Sequence, residues 1–154
     1  MDKQEKLAGG GSGRDRPVRP MIEVSYLGRD RLRIEARGHE LFTDQPVEDG
    51  REDTASTPTE IFVASLGACI GFYAERFLRR HGLSTDGLNV ACDYRWAQNP
   101  HRVGEIDVTV DAPGLSPGKR AAFERVIESC TVHNTLMKPP DVGIRIASTQ
   151  TAPA

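Results

Sequence analysis

The sequence predicts an α+β fold with the element order β-β-β-α-β-β-α-β, and three observations support this prediction. Short segments in which apolar and polar residues alternate are typical of half-buried strands, and they occur on both sides of a long apolar segment. That apolar segment carries the start and stop signals of a helix. A second stretch, later in the chain, has its apolar residues at helical spacing.

The first three strands are expected in the N-terminal part of the domain. In the first two, apolar residues alternate with polar ones at Ile22, Val24, Tyr26, Leu32, Ile34 and Ala36. The glycine-containing turn at residues 28–30 joins these two strands as a hairpin. A third short strand is expected from His39 to Thr43. Residues 44–57 are polar and contain Pro46 and Gly50, which indicates a loop.

The long helix is expected to begin at Pro58, with Thr57 as its N-cap and Glu60 completing a capping box. Gly82 is expected to end it. Residues Ile61–Ala74 are apolar or small on all sides, which predicts a helix that is buried all round. One small sheet cannot cover such a helix, so a second copy of the chain and an obligate homodimer are expected.

The C-terminal half is expected to supply two more strands, a helix and a last strand. The strands are predicted around Leu88–Trp96 and Ile106–Val110. Ser116 and Pro117 open the second helix, whose apolar stripe consists of Phe123, Val126, Ile127 and Cys130. Residues 142–146 alternate again and are expected to form the final strand.

Composition and charge restrict the class of protein. Residues 1–19 and 149–154 are expected to be tails around one domain at residues 20–148, because the first segment is glycine-rich and almost without apolar residues. No apolar stretch typical of a signal peptide occurs there, so a cytoplasmic location is expected. A net charge of −2 argues against nucleic acid. The run Ile61–Ala74 is shorter than the roughly 20 residues of a membrane span, so no membrane partner is expected.

Three cysteines in a chain without a secretory signal argue against a structural disulfide framework. Cys69 lies between Gly67 and Gly71, which indicates either a geometric requirement or a small residue at a helix contact, the commoner case. Cys130 lies on the apolar stripe, and Cys92 lies on the apolar face of a strand, where it is expected to be a core residue.

Cys130 and His133 have the spacing of half a zinc site, but the sequence offers no second pair, and a histidine near a helix end is more often a favourable cation there. Taken alone, Arg29 is a solvated turn residue and Glu60 an acid at a helix start. Neither residue would be selected as catalytic on these grounds.

Two separated motifs, however, resemble those of the OsmC/Ohr family. Residues 58–69, Pro-Thr-Glu-Ile-Phe-Val-Ala-Ser-Leu-Gly-Ala-Cys, resemble the signature Pro-x-Glu-Leu-Leu-x-Ala-x-x-Gly-x-Cys. Residues 130–136, Cys-Thr-Val-His-Asn-Thr-Leu, resemble Cys-Pro-x-His-x-Thr-Leu. Gly-Arg-Asp at residues 28–30 stands where organic hydroperoxide resistance proteins carry the same triplet. The resemblance extends over residues 21–147.

This resemblance implies a domain-swapped homodimer, with two long helices at its centre wrapped by sheets from both chains. It implies thiol-dependent reduction of organic hydroperoxides, with Cys69 as the peroxidatic and Cys130 as the resolving cysteine. Arg29 would hold the thiolate and the peroxide, and Glu60 would fix that arginine. A dithiol or a protein thiol would restore the pair, and no cofactor or metal is expected.

Two positions depart from the hydroperoxide-resistance pattern. Thr59 stands where that branch carries its glutamate, and Glu60 follows one residue later, which is about 100° around a helix. Arg31 or Arg33 are alternatives to Arg29. Two main hypotheses therefore stay open, a hydroperoxide reductase and a redox or stress protein of the same fold without efficient peroxidase activity. A metal-binding or purely structural dimer is the third.

Overall fold

The computed structural model describes residues 21–47, 50 and 52–147. The chain forms two compact units, Met1–Ala55 and Ser56–Ala154. The tails predicted at residues 1–19 and 149–154 lie outside the described residues.

The first unit contains an antiparallel sheet of three strands in the order β1-β2-β3. The strands are β1 (Ile22–Gly28), β2 (Arg31–Ala36) and β3 (His39–Thr43), as predicted. Arg29 and Asp30 form the turn between β1 and β2, with φ angles of 52° and 63°. Two consecutive left-handed residues match the right-handed twist of the flanking strands. The turn that carries Arg29 is therefore a tight hairpin.

In the second unit, helix α1 (Pro58–Arg80) begins where the sequence predicted. The Thr57 Oγ1 atom accepts a hydrogen bond of 3.2 Å from the Glu60 N–H, and the Glu60 Oε2 atom accepts one of 2.7 Å from the Thr57 N–H. This capping box satisfies two backbone donors that have no partner within the helix. His81 caps the other end, and Gly82 follows with a φ of +64°.

Helix α1 packs on the antiparallel hairpin of β4 (Asn89–Ala97) and β5 (Arg102–Asp111). A Cβ atom at Gly67 would lie 2.9 Å from the Cys92 Sγ atom, and one at Gly71 would lie 3.5 Å from Val90. These glycines therefore allow β4 to approach α1. They do not clear space for Cys69, which lies two residues from each and hence on the opposite face.

The single chain buries only part of the surface of α1, and burial of the rest against a second copy of the chain stays a prediction. Val63, Leu66 and Ile70 are buried, whereas Phe62 is 41% and Phe72 is 54% exposed. Among the described elements of its own unit, α1 packs against β4, β5 and the two later helices. An apolar face of α1 is left open to solvent.

Helix α1 has 23 residues and is therefore longer than the apolar run Ile61–Ala74, which by itself is too short to span a membrane. The helix continues beyond this run and ends in a charged last turn. By length and composition it is the one helix of the described segments that would suffice to cross a membrane. Core helices of soluble proteins have the same properties, and 39% of its most apolar window is buried, so this finding is weak support for a span.

The second predicted helix is in fact two helices. A short 3₁₀ turn (Pro117–Lys119) leads into α2 (Arg120–Glu128), and α3 (Thr131–Met137) follows after a break. The break occurs because Cys130 has an extended backbone, with φ −63° and ψ 147°, and caps α3. Cys130 therefore lies between two helices and not on the stripe of one.

The predicted final strand is also absent from the single chain. Residues 141–147 have no regular secondary structure, and Val142, Ile144 and Ile146 are almost fully exposed, Ile146 to 95%. A strand needs a neighbouring strand for its backbone hydrogen bonds. No described strand of this chain pairs with these residues, which leaves an alternating apolar segment without a sheet.

Candidate active site

Cys69 and Cys130 lie together in an apolar cluster of the second unit. Leu66, Ile70 and Cys130 form its buried centre, and Cys69 packs against them. Cys130 is completely buried, Cys69 is partly buried, and both are free thiols. Cys69 is also a near neighbour of Cys130 that acts on the pKa of the Cys130 thiol. The structure thus brings together the two cysteines that the sequence singled out, although the second half of α1, both strands β4 and β5, and a further helix lie between them in the chain.

The junction between α2 and α3 holds Cys130 in place. Its Sγ atom accepts a hydrogen bond of 3.3 Å from the backbone N–H of His133. The His133 side chain in turn donates from Nδ1 to the carbonyl oxygen of Glu128, at the end of α2. Asn134 donates to the carbonyl oxygen of Ser129 at 3.0 Å. The His133 side chain therefore supplies a hydrogen bond to the last turn of α2.

Burial raises the pKa of the Cys130 thiol, because the charged thiolate is poorly solvated there. Backbone N–H groups of His133 and Val132 act in the opposite direction, and the neighbouring Cys69 raises the pKa further. The net direction is upward, so the pKa of the Cys130 thiol lies above its ordinary value.

Tyr73 is a residue of this site that the sequence reasoning missed. It packs against the thiol cluster, and its hydroxyl lies 3.4 Å from the Thr131 Oγ1 atom. Tyr73 is four residues after Cys69 and hence on the same face of α1, which is the signal that would have found it. Thr131 stands where the family signature has proline, so this departure supplies a hydroxyl that connects α3 to α1.

Glu60 is placed away from the thiol pair. Its carboxylate is occupied by the capping box, and it borders a groove of about 440 Å³ that is also lined by Gly67, Cys92 and Tyr94 but not by Cys69. Cys92 lies in this groove, where burial and the neighbouring Asp93 raise the pKa of its thiol. Among the described residues, no group of three or more histidine, cysteine or acidic side chains is arranged to hold a metal ion.

The candidate arginines belong to the first unit. Arg29 is 80% exposed and forms an ion pair with Glu52, at 2.7 Å, and Arg33 forms one with Glu40, at 3.2 Å. Arg31 has no ion pair with a described residue, and its buried Nε atom has no hydrogen-bond partner.

Asp44 is the acidic neighbour of Arg31. Its carboxylate accepts hydrogen bonds from the backbone and side chain of Thr54, at 2.9 and 2.7 Å, and from the backbone of Gln45. These bonds lower the pKa of Asp44, and the charge of Arg31 contributes in the same direction. The Nε atom of Arg33 is likewise buried without a hydrogen-bond partner among the described residues, so Arg31 and Arg33 both retain an unused donor.

The overall architecture is shared with solved structures of low sequence identity. A proposed osmotic stress induced and detoxification response protein from Psychrobacter arcticus 273-4 matches with a TM-score of 0.68 and 22% identity, over 74% of this chain and 85% of that chain. An OsmC-like protein from Mycoplasma pneumoniae matches with a TM-score of 0.66 and 17% identity, over 80% and 91%.

An organic hydroperoxide resistance protein from Legionella pneumophila matches with a TM-score of 0.55 and 20% identity, over 76% of this chain and 88% of that chain. Identities this low establish a common fold. No curated protein matches the sequence. The family model described as OsmC-like protein, however, matches residues 50–145, which include both cysteine motifs. This chain therefore belongs to the OsmC-like protein family.

Proposed function

We propose that this protein is a thiol-dependent reductase of organic hydroperoxides, with Cys69 as the peroxidatic and Cys130 as the resolving cysteine. The observation that supports the proposal most directly is that both free thiols pack in one apolar cluster. Structural neighbours from Legionella pneumophila and Bacillus subtilis are named organic hydroperoxide resistance proteins, which agrees with this reaction. A cytoplasmic location is part of the proposal.

In the proposed reaction the Cys69 thiolate attacks the outer oxygen of the hydroperoxide. The O–O bond breaks, the alcohol leaves with a proton, and Cys69 becomes a sulfenic acid. The Cys130 sulfur then attacks the Cys69 sulfur, a disulfide forms, and the hydroxyl group leaves as water with the proton of Cys130. A dithiol or a protein thiol returns two electrons and restores both thiols.

The thiolate needs a cation nearby, since a cysteine in an apolar site is otherwise held as the thiol. The family resemblance assigns this role to Arg29. Arg29 is ion-paired with Glu52, so Arg31 and Arg33 stay candidates as well, because the Nε atom of each is buried without a hydrogen-bond partner among the described residues. A guanidinium suits the role because it stays charged in poorly solvated sites.

Mass spectrometry of the peroxide-treated protein tests the proposal. After treatment with one equivalent of cumene hydroperoxide, peptides containing Cys69 and Cys130 are expected to be linked by a disulfide. Cys92→Ser serves as the control and is expected to form the same link, because Cys92 contacts Gly67 on the other side of α1. Unlinked peptides with neither cysteine oxidised would contradict the proposal.

We also propose that the protein is a homodimer, and two features of the single chain support this proposal. Phe62 and Phe72 are exposed on α1, and the alternating apolar residues 142–146 have no sheet to join. Exposed apolar surface of this kind is usually buried against a partner. Sedimentation velocity at micromolar concentration is expected to give a dimer, and a single species at the monomer mass of 16.9 kDa would exclude it.

One observation favours a second candidate, a redox or stress protein of this fold without efficient peroxidase activity. Arg29 is ion-paired with Glu52, and the Glu60 carboxylate accepts a hydrogen bond in its own helix cap, so each side chain has a partner other than the one that the resemblance implies. Under this alternative the Cys69–Cys130 disulfide forms, but steady-state hydroperoxide consumption with a dithiol stays at background.

A further inference from the structure

A pocket of about 580 Å³ lies between α1 and α2, outside the thiol cluster. It is lined by Tyr73, Arg76, Phe77, Arg80, His81, Ala122, Arg125, Val126 and Ser129. Arginines from both helices therefore converge on one cavity, and none of the lining residues is acidic. Such a lining is suited to an anion.

Unlike two neighbouring arginines, the arginines of this pocket have no ion-pair partner among the described residues. Arg79 pairs with Glu75 on α1 at 3.2 Å, and Arg120 pairs with Glu124 on α2 at 3.0 Å. Within the described part of the chain, no ion pair involves Arg76, Arg80 or Arg125. Arg76 is instead held over the Phe72 ring, 5.4 Å from its centroid.

The helix dipoles do not account for this arrangement by themselves. Arg80 and Arg125 lie in the last turns of α1 and α2, where a cation is favoured. The dipole favours a cation near the C-terminal end of a helix, but it does not determine on which side of the helix that cation lies. The adjacent Arg79, for example, forms an ion pair with Glu75. Each helix end contributes roughly −0.5 of a charge, against three full positive charges around the cavity. An excess of positive charge is left for a ligand.

The pocket is amphipathic, because its floor is apolar and one wall reaches the thiol site. Phe77 is buried, and Ala122 and Val126 pack against the same core cluster. Tyr73 lines the pocket and also packs against the cluster of Cys69 and Cys130. Along α1, Arg76 is seven residues from Cys69, about 10 Å at the helical rise.

We propose that this pocket binds the acidic head group, a carboxylate or a phosphate, of an amphiphilic anion. The guanidinium groups of Arg76, Arg80 and Arg125 hold the head group, and the apolar part of the ligand lies on Phe77 and extends along Tyr73. Binding at this pocket requires no redox step, so the inference stands or falls independently of the peroxidase proposal.

Titration calorimetry of the full-length protein with decanoate, decyl phosphate and decanol tests this inference. We expect both anions to bind and decanol, which has the same alkyl chain without the charge, to bind at least about tenfold more weakly, since charge-assisted hydrogen bonds are the stronger kind. The tighter of the two anions identifies the head group.

Arg80→Gln and Arg125→Gln are each expected to weaken anion binding about tenfold. Arg79→Gln removes the same charge from the same helical turn outside the pocket and is the matched control, expected to change affinity less than about twofold. The inference is overturned if neither anion binds, if decanol binds as tightly as decanoate, or if Arg79→Gln weakens binding as much as Arg80→Gln. Circular dichroism verifies that each variant is folded.

Discussion

Cys69→Ser is expected to abolish consumption of cumene hydroperoxide by this protein in the presence of a dithiol. A serine hydroxyl is far less acidic than a thiol and cannot supply the nucleophile or the sulfur that is oxidised. The steady-state rate should fall by on the order of 10³-fold or more, to the uncatalysed background. The assay follows remaining hydroperoxide with time at fixed protein and reductant concentrations.

Two other cysteine variants make this experiment specific. Cys130→Ser retains the peroxidatic thiol, so one equivalent of hydroperoxide per chain should be consumed rapidly and Cys69 should remain as a sulfenic acid open to over-oxidation. Cys92→Ser should retain turnover. Substantial activity in Cys69→Ser, or its loss in a folded Cys92→Ser protein, would show that the wrong thiol was assigned.

Gly114→Ala is expected to destabilise the protein by about 3 kcal/mol, near the upper end of what overpacking costs. A Cβ atom at Gly114 would overlap the backbone oxygen of Ser84 and would lie 3.1 Å from its carbonyl carbon. Contact with backbone cannot be relieved by rotating a side chain, so the segment after β5 and the segment after α1 would have to separate. These segments help to hold α1 beside α2.

Gly118→Ala is the matched control, because a Cβ atom at Gly118 meets no atom within 4 Å. Its stability should change by less than about 1 kcal/mol, with any gain coming from a less flexible unfolded chain. Urea unfolding of both variants, followed by circular dichroism and compared at equal m-values, measures the difference. Equal unfolding midpoints for the two variants would contradict the close approach of Gly114 to Ser84.

The sequence by itself determined the features that depend on near neighbours in the chain. The start of α1 was predictable because Thr57 and Glu60 satisfy each other's backbone N–H groups within one turn. The hairpin at Arg29 was predictable because alternation and a tight turn are local patterns. The family motifs also identified Cys69 and Cys130 as the thiols to consider.

Local patterns failed where a residue fits two structures equally well. Cys130 continues the apolar spacing of α2, so a single helix was predicted, yet contacts with α1 and the cap on α3 stop that helix before it. Residues 142–146 have the alternation of a strand, but a strand also needs a partner, and none of the described strands pairs with them. The face of α1 that carries Phe72 was left exposed for the same reason.

Only the tertiary structure decided which distant side chains meet. Cys69 and Cys130 become neighbours because α1 and α3 pack together, and Arg80 and Arg125 converge because α1 and α2 do. Likewise, the ion pair of Arg29 with Glu52 depends on a loop that follows two further strands. Burial, thiol contact and unpaired charge arise from packing between segments far apart in the chain, and no local pattern of residues specifies them.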